Sequence, residues 1–273
     1  MYGIGFGYAS IGATTKRSGG AAYSYLLDTY SGSSAAYSLR KLSSTYSGNC
    51  IRVRRSSDNS EQNIGFVSNI LDTASLLTFC GSGNGFVTTW YDQSGNANNA
   101  TQTNATYQPN IVTSGSVNLL NSKPTINSST VRYLTQNSAV TINSSFYVAN
   151  YTSLNTVNYI NQSVYLGGSA VTGIGMYDQT NIVVSTIENT STHLISSLQL
   201  TSGNTSRLFV DNTQVGSTTI WTPSNVGSIL GNTNNLGPLS NIGNVSEIIY
   251  YNSNQYTNFS GINTQINTFY GIY

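Results

Sequence analysis

The segment Gly85–Gln102, GFVTTWYDQSGNANNATQ, decides the fold class of this chain. Its first part, Phe86–Tyr91, is a β-branched and aromatic run that is typical of a buried strand. The polar cluster Asp92–Asn99 then predicts a tight corner, because Asp and Asn side chains bond to nearby backbone groups. Gly95 supplies a position with positive φ if the turn requires one. A strand that leads directly into such a corner indicates a stacked antiparallel sheet.

The composition indicates a folded protein with a neutral polar surface. Charged residues make up only 7% of the 273 residues, and the formal net charge is +1. The polarity comes from Asn, Ser and Thr, which favour turns and outer sheet faces, and the aromatic fraction of 11% argues against disorder. Ten Lys+Arg residues argue against a broad nucleic-acid-binding surface, and no apolar stretch is long enough to span a membrane. We therefore expect neither a nucleic-acid partner nor membrane insertion.

Short strands with regular turn signals predict an all-β sandwich or jelly roll of two antiparallel sheets. Leu71–Phe79 is expected to be a short helix with Asp72 as N-cap and Gly81 as its end, and an apolar stripe from Phe259 to Tyr270 predicts a C-terminal helix. Thr257 or Ser260 could cap that helix, and Gly271 could end it. The predicted strands are Ile51–Arg55, Asn110–Thr113, Pro124–Ile126, Arg132–Leu134, Ser145–Asn150, Ser163–Leu166, Gly173–Tyr177, Asn181–Ile187, His193–Leu200, Ser206–Val210, Ser228–Leu230 and Asn244–Tyr251.

The chain divides into an N-terminal arm, residues 1–18, and one jelly-roll domain, residues 19–273. In the arm, glycines alternate with Tyr2, Ile4, Phe6 and Tyr8, so it is either a frayed terminus or an anchoring segment that packs on a neighbouring subunit. The start of the chain has no basic region ahead of its apolar residues and is a poor signal peptide.

Cysteine and histidine content limits the metal chemistry that we expect. Cys50 and Cys80 either form one disulfide or remain as separate buried thiols. With His193 as the single histidine, we expect no zinc site, and no other metal or cofactor is predicted. Asp92, with Asn96 and Asn98, could supply oxygen ligands for calcium, but a corner bonded to itself is the favoured interpretation.

Three segments carry a family resemblance: IRVRRSSDN from Ile51, LDTASLLTFCGSGNG from Leu71 and FVTTWYDQSGNANNATQ from Phe86. They resemble the front half of a family of phage and bacterial proteins with a concanavalin A-like, LamG-type jelly roll. More distantly, they are similar to the catalytic domain of α-L-arabinofuranosidase B. The hairpin RLFVDNTQVGS and the terminal segment from Gly243 are similar to the last third of LamG-type domains. The resemblance implies that any ligand site lies in the loops at the rim of the sandwich.

The acidic residues argue against catalysis at this stage. A retaining glycosidase needs two carboxyl groups about 5–5.5 Å apart, and the chain has nine Asp+Glu. The resemblance places the arabinofuranosidase nucleophile in the region of Asp178 and Glu188, without a clear match to either. It places the acid/base near Asn232, and an amide cannot donate the proton. We expect Trp90, Tyr91, Asp92, Ser94, Gly95 and Asn98 to be structural, and no catalytic residue is predicted.

These points favour a non-enzymatic phage virion protein: a head fibre, capsid decoration or tail appendage. Its expected partners are other capsid or fibre subunits, in a homo-oligomer that could be a trimer, with host-surface glycan as a further partner. The expected location is the virion, assembled in the host cytoplasm. The alternative is a carbohydrate-binding module or an arabinofuranosidase-like glycosidase.

Overall fold

Antiparallel strands build this protein, as a computed structural model shows for residues 23–128, 132–151, 158–161, 164–166, 173–177, 182–187, 189–199, 205–219, 224–234, 237–240 and 243–273. The helices are α1 (Leu26–Thr29), α2 (Thr73–Cys80) and α3 (Phe259–Tyr270), with a 3-10 turn at Ala105–Tyr107. The strands of the first half are β1 (Ala35–Ser38), β2 (Ile51–Arg55), β3 (Glu61–Ile64), β4 (Phe66–Val67), β5 (Ile70–Leu71), β6 (Gly85–Trp90), β7 (Ala100–Thr101), β8 (Asn110–Thr113), β9 (Ser116–Val117), β10 (Leu119–Leu120), β11 (Lys123–Pro124) and β12 (Ile126–Ser128). Those of the second half are β13 (Leu134–Ile142), β14 (Ser144–Tyr151), β15 (Asn158–Tyr159), β16 (Val164–Leu166), β17 (Ile174–Tyr177), β18 (Ile182–Val184), β19 (His193–Gln199), β20 (Ser206–Val210), β21 (Thr213–Thr218), β22 (Ser224–Ile229), β23 (Gly231–Asn234), β24 (Gly237–Ser240) and β25 (Gly243–Tyr251).

Fifteen of the described strands belong to one hydrogen-bonded system in the order β21-β20-β19-β14-β25-β12-β8-β6-β7-β13-β22. Strand β1 adds to β25, β2 to β6, β3 to β2, and β9 to β8. Neighbours that are far apart in sequence, such as β12 and β25, require crossovers of the kind found in jelly rolls. The predicted all-β antiparallel sandwich is therefore confirmed.

Strands β14 and β25 are buried on both faces, which makes them the centre of the fold. Alternate side chains of a strand point to opposite faces. Accordingly, Tyr147 and Ile248 belong to the core between the sheets, with Trp90. Phe146 and Ile249 belong to a second core, which helices α1 and α3 close from outside.

The two predicted helices form, with one difference in capping. Asp72 caps α2, since its side chain accepts a hydrogen bond from the Ser75 backbone N–H at 3.0 Å. Helix α3 ends at Gly271, whose φ of +61° is the left-handed conformation that glycine favours. The expectation of Thr257 or Ser260 as the α3 N-cap is wrong, because Asn258 occupies that position and makes no side-chain cap bond to the helix.

Strand β13 is longer than predicted. Only Leu134 of its nine residues was expected to be in a strand, because TQNSAVT lacks an apolar alternation. Much of β13 faces solvent, and its pairing with β22 shifts between Thr135 and Val140. An irregular, exposed strand carries little of the periodic signal on which sequence prediction depends.

Cys50 and Cys80 are both buried and free, so the disulfide alternative is wrong. Among the described residues, no helix has the length and apolar character to cross a membrane. The proposed anchoring arm, with Tyr2, Ile4, Phe6 and Tyr8, lies outside the described residues.

Candidate functional site

The corner after β6 is organised by the Asp92 carboxylate, which is only 3% exposed. One oxygen accepts hydrogen bonds from the Ala36 N–H at 2.8 Å and the Ser94 N–H at 2.9 Å. The other accepts from the Ser94 hydroxyl at 2.6 Å and the Asn98 N–H at 3.0 Å. Four donors surround the carboxylate, so its oxygen lone pairs accept hydrogen bonds from the protein. A calcium ion would require those lone pairs to be free.

Neighbouring amides tie this corner to other strands. Asn98 donates to the Ser138 carbonyl at 2.9 Å and accepts from the Ser138 N–H at 2.8 Å, which joins the corner to β13. Gln93 accepts from the Leu42 N–H and donates to the Ser38 and Arg40 carbonyls. The predictions from sequence did not include Gln93. Its side-chain amide can nevertheless both accept hydrogen bonds from backbone N–H groups and donate them to backbone carbonyls.

Trp90 and Tyr91 lie in different environments. Trp90 is fully buried and packs on Tyr37 at a ring-centroid distance of 5.8 Å. Tyr91 is only partly buried, and its hydroxyl donates to Asn63 at 2.9 Å. Tyr91 therefore departs from the buried run predicted for Phe86–Tyr91, because adjacent residues of an extended chain point to opposite sides.

The described carboxylates each have a partner in the fold. Besides Asp92, the partners are Ser43 for Asp28, Arg55 for Asp58, Arg52 for Glu61, Ser75 for Asp72, His193 for Asp211 and Arg40 for Glu247. Asp178 and Glu188, the other two acidic residues, lie outside the described residues. Among the described residues, no three Asp, Glu, His or Cys side chains form a group that could hold a metal ion.

Arg40 and Glu247 form a buried ion pair, with side-chain exposures of 2% and 1%. The guanidinium donates to both carboxylate oxygens, at 2.7 and 2.9 Å, and the hydroxyls of Ser38 and Tyr270 donate to the same carboxylate. Burial works to lower the pKa of Arg40, but the charge and hydrogen bonds of Glu247 outweigh it and raise the pKa above its usual value. The available sequence signal was the single charge of Glu247 ahead of the apolar run Ile248–Tyr251, whereas Arg40 stands beside Lys41 and gave no such signal.

His193 begins β19 and is buried, as expected for a packing residue. Its Nδ1 lies 2.7 Å from an Asp211 oxygen, and its Nε2 lies 3.0 Å from the Asn189 side-chain oxygen. The other Asp211 oxygen accepts from the Leu194 N–H at 2.9 Å. These contacts hold the tight turn between β20 and β21 against β19.

Two open cavities flank the loop Tyr46–Gly48, which lines both of them. The first, of about 380 Å³, also reaches Gln93 and Gly95 of the corner. The second, of about 400 Å³, reaches Phe66 at the β4–β5 turn. Both volumes lie in the usual range for small-ligand sites, and their hydroxyl, amide and tyrosine groups suit a neutral, hydroxylated ligand. Neither cavity is lined by a carboxylate, so neither supplies the pair of carboxyl groups that glycoside hydrolysis uses, and Lys41 adds a positive charge to the second.

The β-sandwich and its polar cavities define a domain suited to carbohydrate. The family model of the α-L-arabinofuranosidase B catalytic domain matches residues 28–166, just over half of the chain. The chain therefore belongs to this family.

Solved structures share the fold. A glycoside hydrolase family 54 α-L-arabinofuranosidase carrying a Glu-to-Gln substitution, soaked with 4-nitrophenyl α-L-arabinofuranoside, has a TM-score of 0.64 at 17% identity. An arabinofuranosidase complexed with arabinofuranosyl-α-1,2-xylobiose has a TM-score of 0.61 at 15% identity, and a family 54 enzyme soaked with a cyclic sulfate inhibitor has 0.60 at 18%. Each match covers 88% of this chain and 64% of the other, so the chain spans less than two thirds of those proteins. No curated protein sequence is significantly similar to the chain.

These findings confirm the distant similarity to arabinofuranosidase B and correct the main functional prediction. The expectation of a non-enzymatic phage virion protein is wrong, because both the family model and the solved structures belong to glycoside hydrolases. A neutral surface rich in Asn, Ser and Thr does not distinguish a virion protein from a glycoside hydrolase.

Proposed function

We propose that this chain is the catalytic domain of a glycoside hydrolase that removes α-L-arabinofuranosyl groups from arabinose-substituted glycans. The observation that carries the proposal is the match of the arabinofuranosidase B catalytic family over residues 28–166. The related structures hold a nitrophenyl arabinofuranoside and an arabinofuranosyl xylobiose, which suggests the substrate class.

Glycoside hydrolysis requires a proton donor and a second carboxylate on either side of the bond that is cleaved. Seven of the nine acidic residues already hold partners in the described structure, several of them through charged or capping contacts. Asn232 cannot donate the proton, so we assign the reacting carboxylates first to Asp178 and Glu188.

The test is release of nitrophenol from 4-nitrophenyl α-L-arabinofuranoside by the purified chain. We expect turnover by the wild type, and a fall of about 100-fold or more in kcat for Asp178→Asn or Glu188→Gln, since a general acid or base contributes about 10²–10⁴-fold. Asp58→Asn is the matched control, because Asp58 is an exposed partner of Arg55 and should leave kcat unchanged.

Asn232→Asp supplies a second arm of the same experiment. If Asp178 and Glu188 are the two reacting carboxylates, this variant leaves kcat about unchanged, and a large gain would instead move the proton donor to position 232 and overturn that assignment. A folded wild-type chain that releases no nitrophenol overturns the proposed activity.

A further inference from the structure

Phe86 lies beneath two arginines on the outer face of the sheet. The Arg54 guanidinium carbon is 4.6 Å from the Phe86 ring centroid, and that of Arg132 is 5.5 Å from it. Arg54 and Phe86 are cross-strand partners on β2 and β6, so the sheet itself fixes their spacing. Arg132 arrives from the segment that leads into β13. Two positive charges are therefore held over one aromatic ring.

Two tyrosines continue this surface. Tyr107 and Tyr133 have ring centroids 5.6 Å apart at an interplanar angle of 30°, and the Tyr133 N–H donates to the Tyr107 carbonyl at 3.1 Å. Gln108, next to Tyr107, accepts a hydrogen bond from Arg54 at 2.7 Å. We call the set Arg54, Phe86, Tyr107, Arg132 and Tyr133 the Arg54 face, and every member is partly exposed.

Among the described residues, no carboxylate lies within ion-pair distance of Arg54 or Arg132, since Glu61, the cross-strand neighbour of Arg54, pairs with Arg52. Arg52 and Arg55, the strand neighbours of Arg54, form ion pairs with Glu61 and Asp58. Arg54 instead bonds to the side-chain amides of Gln108 and Asn59.

Partial burial removes solvent from both guanidinium groups. Desolvation lowers the pKa of Arg54, with the charge of Glu61 acting in the opposite direction, and desolvation also lowers the pKa of Arg132. An anion in contact with these guanidinium groups would offset that cost.

We propose that the Arg54 face binds the uronate group of an acidic glycan, such as a glucuronic acid branch on an arabinose-substituted xylan. This substrate class rests on the proposed function. A uronate has one carboxylate, which suits a pair of guanidinium groups, on a sugar ring that can stack on tyrosine. The tyrosine pair beside the arginines supplies such a surface.

A single carboxylate fits this face better than a nucleic acid does. The chain has ten Lys+Arg and a net charge of +1, so the wider surface gives little attraction for a polyanion. The unpaired positive charge of the Arg54 face is confined to two side chains, which matches one anionic group on an otherwise neutral ligand.

The test is calorimetric binding of two matched probes to the folded chain. One probe is xylotetraose with a single glucuronic acid branch, and the other is the same oligosaccharide with its carboxyl group reduced to the alcohol. We expect the acidic probe to bind the wild type about ten-fold tighter or more, as charge-assisted pairing predicts, and the difference to shrink in about 1 M salt.

Arg54→Gln with Arg132→Gln should remove this preference for the acidic probe. Arg207→Gln is the matched control, because Arg207 also stacks on an aromatic ring, Tyr256, at 4.9 Å and carries the same charge. Equal binding of both probes by the wild type, or equal loss of preference in Arg207→Gln, overturns the inference. Tighter binding of single-stranded DNA than of the acidic probe would also overturn it.

The two proposals can fail separately. Turnover of the nitrophenyl arabinoside without a preference for the acidic probe contradicts only the role of the Arg54 face. Preference for the acidic probe in a chain without turnover contradicts only the hydrolase activity.

Discussion

Arg40 and Arg54 lie 14 positions apart in sequence and have opposite surroundings. Arg40 is buried and shares both its charge and its hydrogen bonds with Glu247. Arg54 is partly exposed, and its contacts are the amides of Gln108 and Asn59 and the ring of Phe86. Glu247 neutralises the charge of Arg40 within the fold, whereas the charge of Arg54 is left for a ligand to neutralise.

The comparison is informative because this chain contains so few charges. The chain has ten Lys+Arg in 273 residues, so each cation in the described part of the chain can be assigned a role from its contacts. An isolated buried ion pair stabilises little overall, but the loss of one partner is costly because the other charge stays behind. Removing the partner of Arg40 should therefore lower the free energy of unfolding far more than removing Arg54 itself.

The largest expected effect is that of Glu247→Gln. This change leaves Arg40 buried without its counter-charge, and we expect the free energy of unfolding to fall by about 3–5 kcal/mol. Urea denaturation followed by circular dichroism measures it. Glu61→Gln is the matched control, since it breaks the exposed pair with Arg52 and should cost about 0–1 kcal/mol.

The double variant Arg40→Met, Glu247→Leu separates charge from packing. If the uncompensated charge causes the loss, this apolar pair restores most of the stability. Similar losses in Glu247→Gln and Glu61→Gln would contradict the distinction between buried and exposed pairs.

The β6 strand and the corner after it could be predicted from sequence, because their information is local. Asp92 accepts from the Ser94 and Asn98 N–H groups within the corner, and Gly95 does adopt a positive φ, +92°. Strand β2 and strand β8 have the predicted bounds for the same reason. The bonds from Asp92 to Ala36 and from Asn98 to Ser138 cross to distant strands and could not be predicted. Strand β13 was missed because its apolar pattern is interrupted.

The Arg54 face could not be predicted, since its members come from four separated segments around residues 54, 86, 107 and 132. Only strand pairing brings Arg54 beside Phe86, and Arg132, which lies two residues before β13, reaches the same ring. The Arg40–Glu247 pair spans an even larger sequence distance. The function could not be predicted from Asn232 alone, because one amide in place of an acid says less about function than the family match over residues 28–166.

The second prediction concerns the loss of stability at alkaline pH that ionisation of the buried Tyr147 should cause. Burial raises the pKa of Tyr147 to about 12, with hydrogen bonds that include the one from Asn161 acting in the opposite direction. A tyrosine in the unfolded chain has a pKa of about 10. The stability that depends on Tyr147 being neutral is therefore complete below about pH 10 and is lost as the pH rises to about 12. The expected loss is about 3 kcal/mol.

Urea denaturation across this pH range checks the prediction, with tyrosinate absorbance as a second readout. Tyr147→Phe should be less stable at neutral pH, because Asn161 loses an acceptor, but its stability should decline less between about pH 10 and 12. Identical pH profiles for the wild type and this variant would show that ionisation of Tyr147 does not drive the alkaline loss.

The smallest expected effect is that of Arg54→Gln on folding. The variant loses a contact with the Phe86 ring, worth about 0.5–1 kcal/mol at an exposed site, and leaves no carboxylate unpaired. We therefore expect the free energy of unfolding to change by no more than about 1 kcal/mol. Urea denaturation at neutral pH measures it beside Glu247→Gln. A loss as large as that of Glu247→Gln would make Arg54 a structural residue, and the contrast with Arg40 would then disappear.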